Sequence, residues 1–320
     1  MTEPQQMPEA SRVVDAPVGN WVDRYAPQAA RPFLRLSRAD RPIGTWLLLI
    51  PCFWGIALAA LVDGYRPLDL WLVLSASVGA FVMRGAGCTW NDITDRHIDG
   101  SVARTRSRPL PSGQVSVRGA VIWMGVQAAL GAVILFSYNG LAIGLGVASL
   151  GLVVIYPFAK RFTWWPQVFL GLAFNWGALL LFAAHAGHLS LSALLLYGAG
   201  ITWTLYYDTI YACQDVDDDA LIGVKSTARL FGADTRRWLW WFIGATMVLM
   251  GAAVVALPLP PSGILSTLVA LGGVWALGWH MVWQMRRLRV EDPASCLAVF
   301  RSNRDAGLIA ALFLAAAVLL

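Results

Sequence analysis

The stretch PIGTWLLLIPCFWGIALAALV, residues 42 to 62, runs for 21 positions without a charged side chain. As a helix it rises about 30 Å, the thickness of a bilayer's hydrocarbon core. Eight further apolar runs follow, at about 68 to 90, 117 to 137, 140 to 159, 166 to 184, 188 to 212, 238 to 257, 262 to 285 and 306 to 320. With 58% hydrophobic and 13% charged residues over 320 positions, the chain is too apolar to hide in one soluble core. The expected fold is all-α: a polytopic membrane protein of about nine transmembrane helices.

The first run begins behind a polar, proline-containing stretch, the wrong placement for a cleaved secretory signal. Residues 1 to 30 are expected as a flexible tail and 31 to 320 as one intramembrane domain. In QAARPFLRLSRADRP, residues 28 to 42, Phe33, Leu34 and Leu36 interleave with Arg31, Arg35, Arg38 and Arg41, a pattern suited to lying along the membrane interface. The scattered Cys52, Cys88, Cys213 and Cys296 read as packing residues, and His185 and His188 as solvated loop histidines.

A net charge of +5 does not require nucleic acid, because the basic residues are segregated. If nine helices alternate, 22 of the 24 Lys and Arg fall on one face; the exceptions are Arg66, opposite, and Arg84, inside the second run. The positive-inside rule then places the N-terminus in the cytoplasm and the C-terminus outside it. A bacterial inner (plasma) membrane is the expected location.

Eight of the 19 acidic residues fall in two short stretches on that same face, with a ninth close by. NDITDRHIDG carries Asp92, Asp95 and Asp99, and YDTIYACQDVDDD carries Asp208, Asp215, Asp217, Asp218 and Asp219, with Asp234 slightly beyond. On a helix, Asn91, Asp95 and Asp99 form one stripe, and Asp208, Asp215 and Asp219 another. Carboxylates crowded at a membrane edge repel and take up protons unless a cation intervenes. Magnesium answers this: it prefers oxygen ligands, takes one or two carboxylates, and bridges to substrate phosphates. Arg104, Arg106 and Arg108 follow the first motif, Lys225 follows the second, and Lys160 and Arg161 come from a third loop. Each basic residue alone is also explained by topology. Asp208 is less easily dismissed, since it lies inside the apolar ITWTLYYDTIYAC.

These motifs resemble the two Asp-rich motifs of the UbiA-type intramembrane prenyltransferases. The likeness extends through RPIGTWLLL at 41 to 49, RGAGCTWND at 84 to 92, RTRSRPLPSG at 104 to 113, YPFAKRFTWWPQ at 156 to 167 and IGVKSTARLFG at 222 to 232. The YPF-x-KR-x-T and YDT-x-YA segments are most similar to the branch that prenylates 4-hydroxybenzoate on the way to ubiquinone. The resemblance implies nine helices around a central cavity, a cap built from the motif loops, and Mg2+ as cofactor. It further implies polyprenyl diphosphate and 4-hydroxybenzoate as substrates, with membrane lipid around the chain. By motif position, Asn91, Asp95, Asp99, Asp215 and Asp219 would hold the metal and Asp208 would lie near the aromatic substrate.

The diphosphate would then fall to Arg104, Arg108, Lys160 and Lys225, and the acceptor's carboxylate to Arg161, with Arg84 the next candidate. Arg161 is preferred because a planar guanidinium grips a carboxylate by two bonds. Trp90, Trp203, Tyr206, Tyr207 and Tyr211 stand near the motifs, where π faces stabilise an allylic cation, although ordinary packing explains each singly. Two alternatives compete: another aromatic acceptor, or a cation transporter with the acids as its ion path. Transporters place such groups nearer the bilayer midplane. Part of the CDP-alcohol phosphotransferase signature also fits Asp99, Gly100, Ala103, Arg104 and Gly113. The Asp residues it needs are replaced by Arg96, Val117 and Val121.

Overall fold

A computed structural model describes residues 16, 17, 19–100, 105–259 and 263–320. Thirteen α-helices and no strand occur among them. Nine are long: α3 (Ile43–Asp63), α4 (Pro67–Asp99), α5 (Val117–Leu135), α6 (Gly140–Phe162), α7 (Pro166–Ala186), α8 (Leu191–Ala212), α11 (Thr235–Val255), α12 (Ile264–Arg287) and α13 (Pro293–Val318). Each covers one of the nine apolar runs. The short ones are α1 (Trp21–Tyr25), α2 (Arg31–Leu36), α9 (Val216–Leu221) and α10 (Thr227–Phe231).

Among the described residues, seven helices are both long and apolar enough to cross a membrane; α8 and α13 are not among them. Both are long, but α8 carries Asp208 among several Thr and Tyr residues and α13 carries Arg301, Arg304 and Asp305, and some of their polar groups pair with neighbouring helices. Thr204 of α8 accepts a 2.8 Å bond from Asn175 of α7, and Trp203 donates at 3.0 Å to Asn303 of α13. Polar groups paired between helices in this way are satisfied without water. By contrast, α5 turns Ile122, Val126, Leu130 and Val133 outward.

The chain forms two compact units, Met1–Gly44 with Phe81–Ala132 and Thr45–Ala80 with Val133–Leu320, where a single domain was expected. In the first unit, the stretch expected to be a loose tail is built into the fold from residue 19 on. Val22 and Ala26 pack with Ala39, Trp21 donates to the Ala39 carbonyl at 2.7 Å, and Arg35 pairs with Asp23 at 2.8 Å. Residues 28 to 42 therefore do not simply lie on the interface. Leu36 is buried with Ile93, Leu110, Val115 and Ala120, and Arg35 and Arg38 turn inward.

In the second unit α8 is the central helix, packed on α7, α11 and α13. The rings of Trp54 and Trp203 pack at a 40° tilt with centroids 4.9 Å apart, and the Trp54 indole donates to the Gly307 carbonyl. A side chain at Gly307 would meet Trp203 at 2.7 Å, so the close approach of α13 requires glycine there. His185 departs from expectation: α7 extends to Ala186, and the ring is buried in its last turn with Nδ1 on Asp69. Of the two, His188 is the exposed one. The four thiols are free, and all but Cys213 are buried, consistent with packing roles.

Candidate functional site

The first acidic motif belongs to the first unit. At 33 residues, α4 is about 50 Å long and carries its helical register through the whole motif. Asn91, Asp95 and Asp99 therefore share one stripe, as the spacing required. Asp95 and Asp99 are buried, at 1% and 6% exposure, and Asn91 is half-buried. Arg84, seven residues before Asn91, lies on the same stripe about 10 Å further into the membrane. Its guanidinium rests against the backbone of Gly44: a Cβ there would lie 2.6 Å from Nε.

Two arginines neutralise this cluster from outside the helix. Arg38 grips both oxygens of the fully buried Asp92, with Nη1 2.9 Å from Oδ2. Arg108 donates through Nη1 to Asp99 at 2.8 Å and lies 3.5 Å from Asp92. Thr105 Oγ1 donates to the Asp99 carbonyl at 2.8 Å, fastening the loop that brings Arg108 back. Arg108, expected on a diphosphate, thus stands against a carboxylate assigned to metal. Its guanidinium supplies positive charge at Asp99 of the kind a divalent ion supplies, so the donor set suits a cation. Arg104 lies outside the described residues, and Arg106 is exposed.

The second motif belongs to the second unit and is built differently. Asp208 is half-buried in α8, between the buried Tyr207 and Thr209. The helix ends at Ala212, a 3-10 turn covers Cys213–Asp215, and α9 carries Asp219. The continuous stripe expected for Asp208, Asp215 and Asp219 is therefore broken at Asp215. Asp217 and Asp218 are exposed.

After α9 the chain turns at Gly223, φ 73°, and the Lys225 amide donates to the Lys160 carbonyl at 3.1 Å. This brings the ends of α6 and α9 together. Lys225 Nζ and the Arg229 guanidinium sit over the Trp164 ring, 5.9 and 5.3 Å from its centroid. Arg229 also donates to the carbonyls of Asp219, at 3.2 Å, and Val224. Sequence reasoning missed Arg229 and Trp164; the signal was Arg229 four residues after Lys225, beside the Trp-Trp-Pro segment. Arg161 is exposed and stacks on Phe158 at 5.1 Å.

Of the aromatics considered for a cation, Trp203 and Tyr206 are wholly buried and hydrogen-bonded, Tyr206 to the Met281 carbonyl. Packing explains these two. Among the described residues no three His, Cys, Asp or Glu side chains form a ready metal cage. Magnesium completes its shell with water and phosphate, so a motif offering one or two carboxylates is adequate.

Residues 48–319 match the family model described as the UbiA prenyltransferase family. The chain belongs to the UbiA prenyltransferase family. Relatives in this family include the mitochondrial 4-hydroxybenzoate polyprenyltransferases of Aedes aegypti and Drosophila melanogaster. The mosquito protein is 48% identical over 281 residues, covering 87% of this chain and 61% of its own length. The fly protein is 47% identical over 282 residues, covering 88% and 70%. The chain thus spans less than two thirds of the mosquito protein. A UbiA homologue from Archaeoglobus fulgidus, solved with GPP and Mg2+, shares the fold with TM-score 0.62 at 18% identity, over 90% of this chain and all of that one. The mosquito and fly proteins are mitochondrial, which overturns the bacterial plasma membrane and points to a mitochondrial one. Basic-residue asymmetry reports a side of the membrane, not the organelle.

Proposed function

We propose that this UbiA-family chain transfers a polyprenyl group from polyprenyl diphosphate to the ring carbon ortho to the hydroxyl of 4-hydroxybenzoate, as a step of ubiquinone biosynthesis. The observation that carries the reading is identity near one half with enzymes named for that reaction, over nearly nine tenths of this chain, with both acidic motifs intact.

Asn91, Asp95 and Asp99 in one motif and Asp215 and Asp219 in the other would hold magnesium, which would supply charge to stabilise the leaving diphosphate. Lys160, Lys225 and Arg229 bind its phosphate oxygens. Trp164 holds the last two cations in place through its π face. On diphosphate binding, Arg108 exchanges Asp99 for a phosphate oxygen, which suits a guanidinium equally well. Loss of diphosphate leaves an allylic cation that water would quench, and the apolar helices around the motifs exclude water.

The acceptor's carboxylate needs a fixed cation in a partly dehydrated setting. Arg84 answers that need better than Arg161, because it is half-buried on the metal stripe whereas Arg161 is exposed. Asp208 accepts a hydrogen bond from the phenol and so enriches the ring; once the new carbon–carbon bond has formed, the C–H bond at that carbon breaks and its proton passes to the released diphosphate, restoring aromaticity.

Membranes containing the protein, incubated with geranyl diphosphate, Mg2+ and a panel of aromatic acids, test the substrate. Prenylated 4-hydroxybenzoate is the expected product. Efficient turnover of a phenol without a carboxylate, with 4-hydroxybenzoate left unchanged, overturns the acceptor assignment.

A further inference from the structure

Arg38 has φ 58°, and among the described residues no other non-glycine has a positive φ. A left-handed conformation is unfavourable for a residue with a Cβ and persists only where the surroundings impose it. Here the surroundings are specific. The guanidinium donates to the Arg35 carbonyl at 3.2 Å, closing the end of α2, and spends its planar fork on the two oxygens of Asp92. Burial alone would lower the side chain's affinity for its proton, but Asp92 beside it turns the net direction upward. Arg38 also precedes the residues matched to the family model, which begin at 48.

Asp92 lies between Asn91 and Asp95, one position off the stripe of metal-facing residues. It is nevertheless within reach of the first motif's own cation: Arg108 Nη1 lies 2.8 Å from Asp99 and 3.5 Å from Asp92. One guanidinium is shared by two carboxylates, and a second guanidinium occupies one of the two. Without Arg38, Asp92 would be a bare buried carboxylate, strongly driven to recruit a cation. The nearest after Arg38 is Arg108, and drawing it fully to Asp92 would take from Asp99 the bond that holds its carboxylate in place.

We propose that Arg38 is a positioning residue of the first motif: by occupying both oxygens of Asp92, it withholds that carboxylate from magnesium and from Arg108 and fixes how Asp95 and Asp99 are presented. The segment ahead of the first membrane helix is thereby part of the metal site. This inference rests on the reading of Asn91, Asp95 and Asp99 as ligands of a metal diphosphate, and the experiment separates the two.

Binding of Mn2+, used in place of Mg2+ and read by electron paramagnetic resonance, is measured on the full-length protein with a non-reactive prenyl diphosphate analogue; Tm is recorded alongside. Arg38→Lys keeps the charge but loses the fork, and weakens Mn2+ binding by about tenfold or more, as expected for residues standing behind metal ligands. Arg38→Ala weakens it further. Adding Asp92→Asn to Arg38→Ala removes the competing carboxylate and restores most of the lost affinity, even if Tm stays low. Wild-type Mn2+ affinity in Arg38→Lys with only a lowered Tm, or no recovery in the double variant, overturns the proposal. If Arg38→Ala does not fold, Arg38→Lys and the double variant still decide it. Asp95→Asn is the control for the underlying reading: unchanged Mn2+ affinity there refutes the metal assignment itself, whatever Arg38 does.

Discussion

The two acidic motifs have similar side chains and opposite constructions. The first sits on an unbroken helix, its carboxylates buried and met by Arg38 and Arg108. The second straddles a helix break, exposes Asp217 and Asp218, and has its nearby cations on an aromatic face and backbone carbonyls. Buried carboxylates need compensation from the protein itself, whereas water compensates exposed ones. The first motif is therefore coupled to stability as well as to ligand binding, and the second mainly to binding.

The largest effect expected from this contrast is on turnover. Asp95→Asn and Asp215→Asn should each reduce prenyl transfer at limiting Mg2+ by at least about a hundredfold, the upper range for perturbing a metal site. Stability should separate the motifs: Asp99→Ala leaves Arg108 only its longer contact to Asp92 and should cost about 3 kcal/mol in denaturant melts, while Asp218→Ala, at an exposed position, should stay within about 0.5 kcal/mol. Equal destabilisation by the two would break the comparison.

Acceptor binding is the next largest effect. Arg84→Ala should raise KM for 4-hydroxybenzoate by about thirtyfold or more, the cost of leaving a buried charge unpaired, with little change in KM for the prenyl diphosphate. Arg161→Ala should change it less than about threefold, since its guanidinium is exposed. Gly44→Ala sharpens this assignment, because the new methyl would push on the Arg84 guanidinium. It should raise acceptor KM while leaving Tm nearly unchanged; an unaltered KM detaches Arg84 from the acceptor. Trp164→Ala should have a smaller effect on the second motif alone. Loss of an exposed cation–π platform, worth about 0.5–1 kcal/mol, should raise KM for prenyl diphosphate two- to fivefold.

The smallest expected effect is a pH dependence near the first motif. Asp40 is buried, with neither carboxyl oxygen hydrogen-bonded, and burial pushes its carboxyl above the usual range despite Arg41 and Arg38. The folded state then holds this proton more tightly than the unfolded chain, so stability should fall as pH rises from the ordinary carboxylate value through the raised one. Asp40→Asn should remove that part of the slope, read as Tm between pH 4 and 7.

Much of this was legible in sequence because lipid imposes simple rules. Nine apolar runs became nine long helices among the described residues, and the Asn91, Asp95, Asp99 spacing survived because α4 stays helical to Asp99. What resisted reading was long-range or local-geometric. The pairing of Arg38 with Asp92 spans 54 positions, and nothing in LSRADRP announces it. The 3-10 turn at Cys213–Asp215 leaves no glycine or proline as a marker. His185 looked solvated because its partner, Asp69, lies 116 residues earlier.

The central claim is that both motifs serve one chemical event, departure of diphosphate as a prenyl group passes to an aromatic ring. The most direct test counts both products from the same reaction: diphosphate released and prenylated 4-hydroxybenzoate formed by the purified protein in lipid, with Mg2+ and with a chelator. The account predicts one diphosphate per prenylated ring, both lost on chelation. Prenylated product unaffected by chelation, or diphosphate release with no prenylated ring, would contradict it.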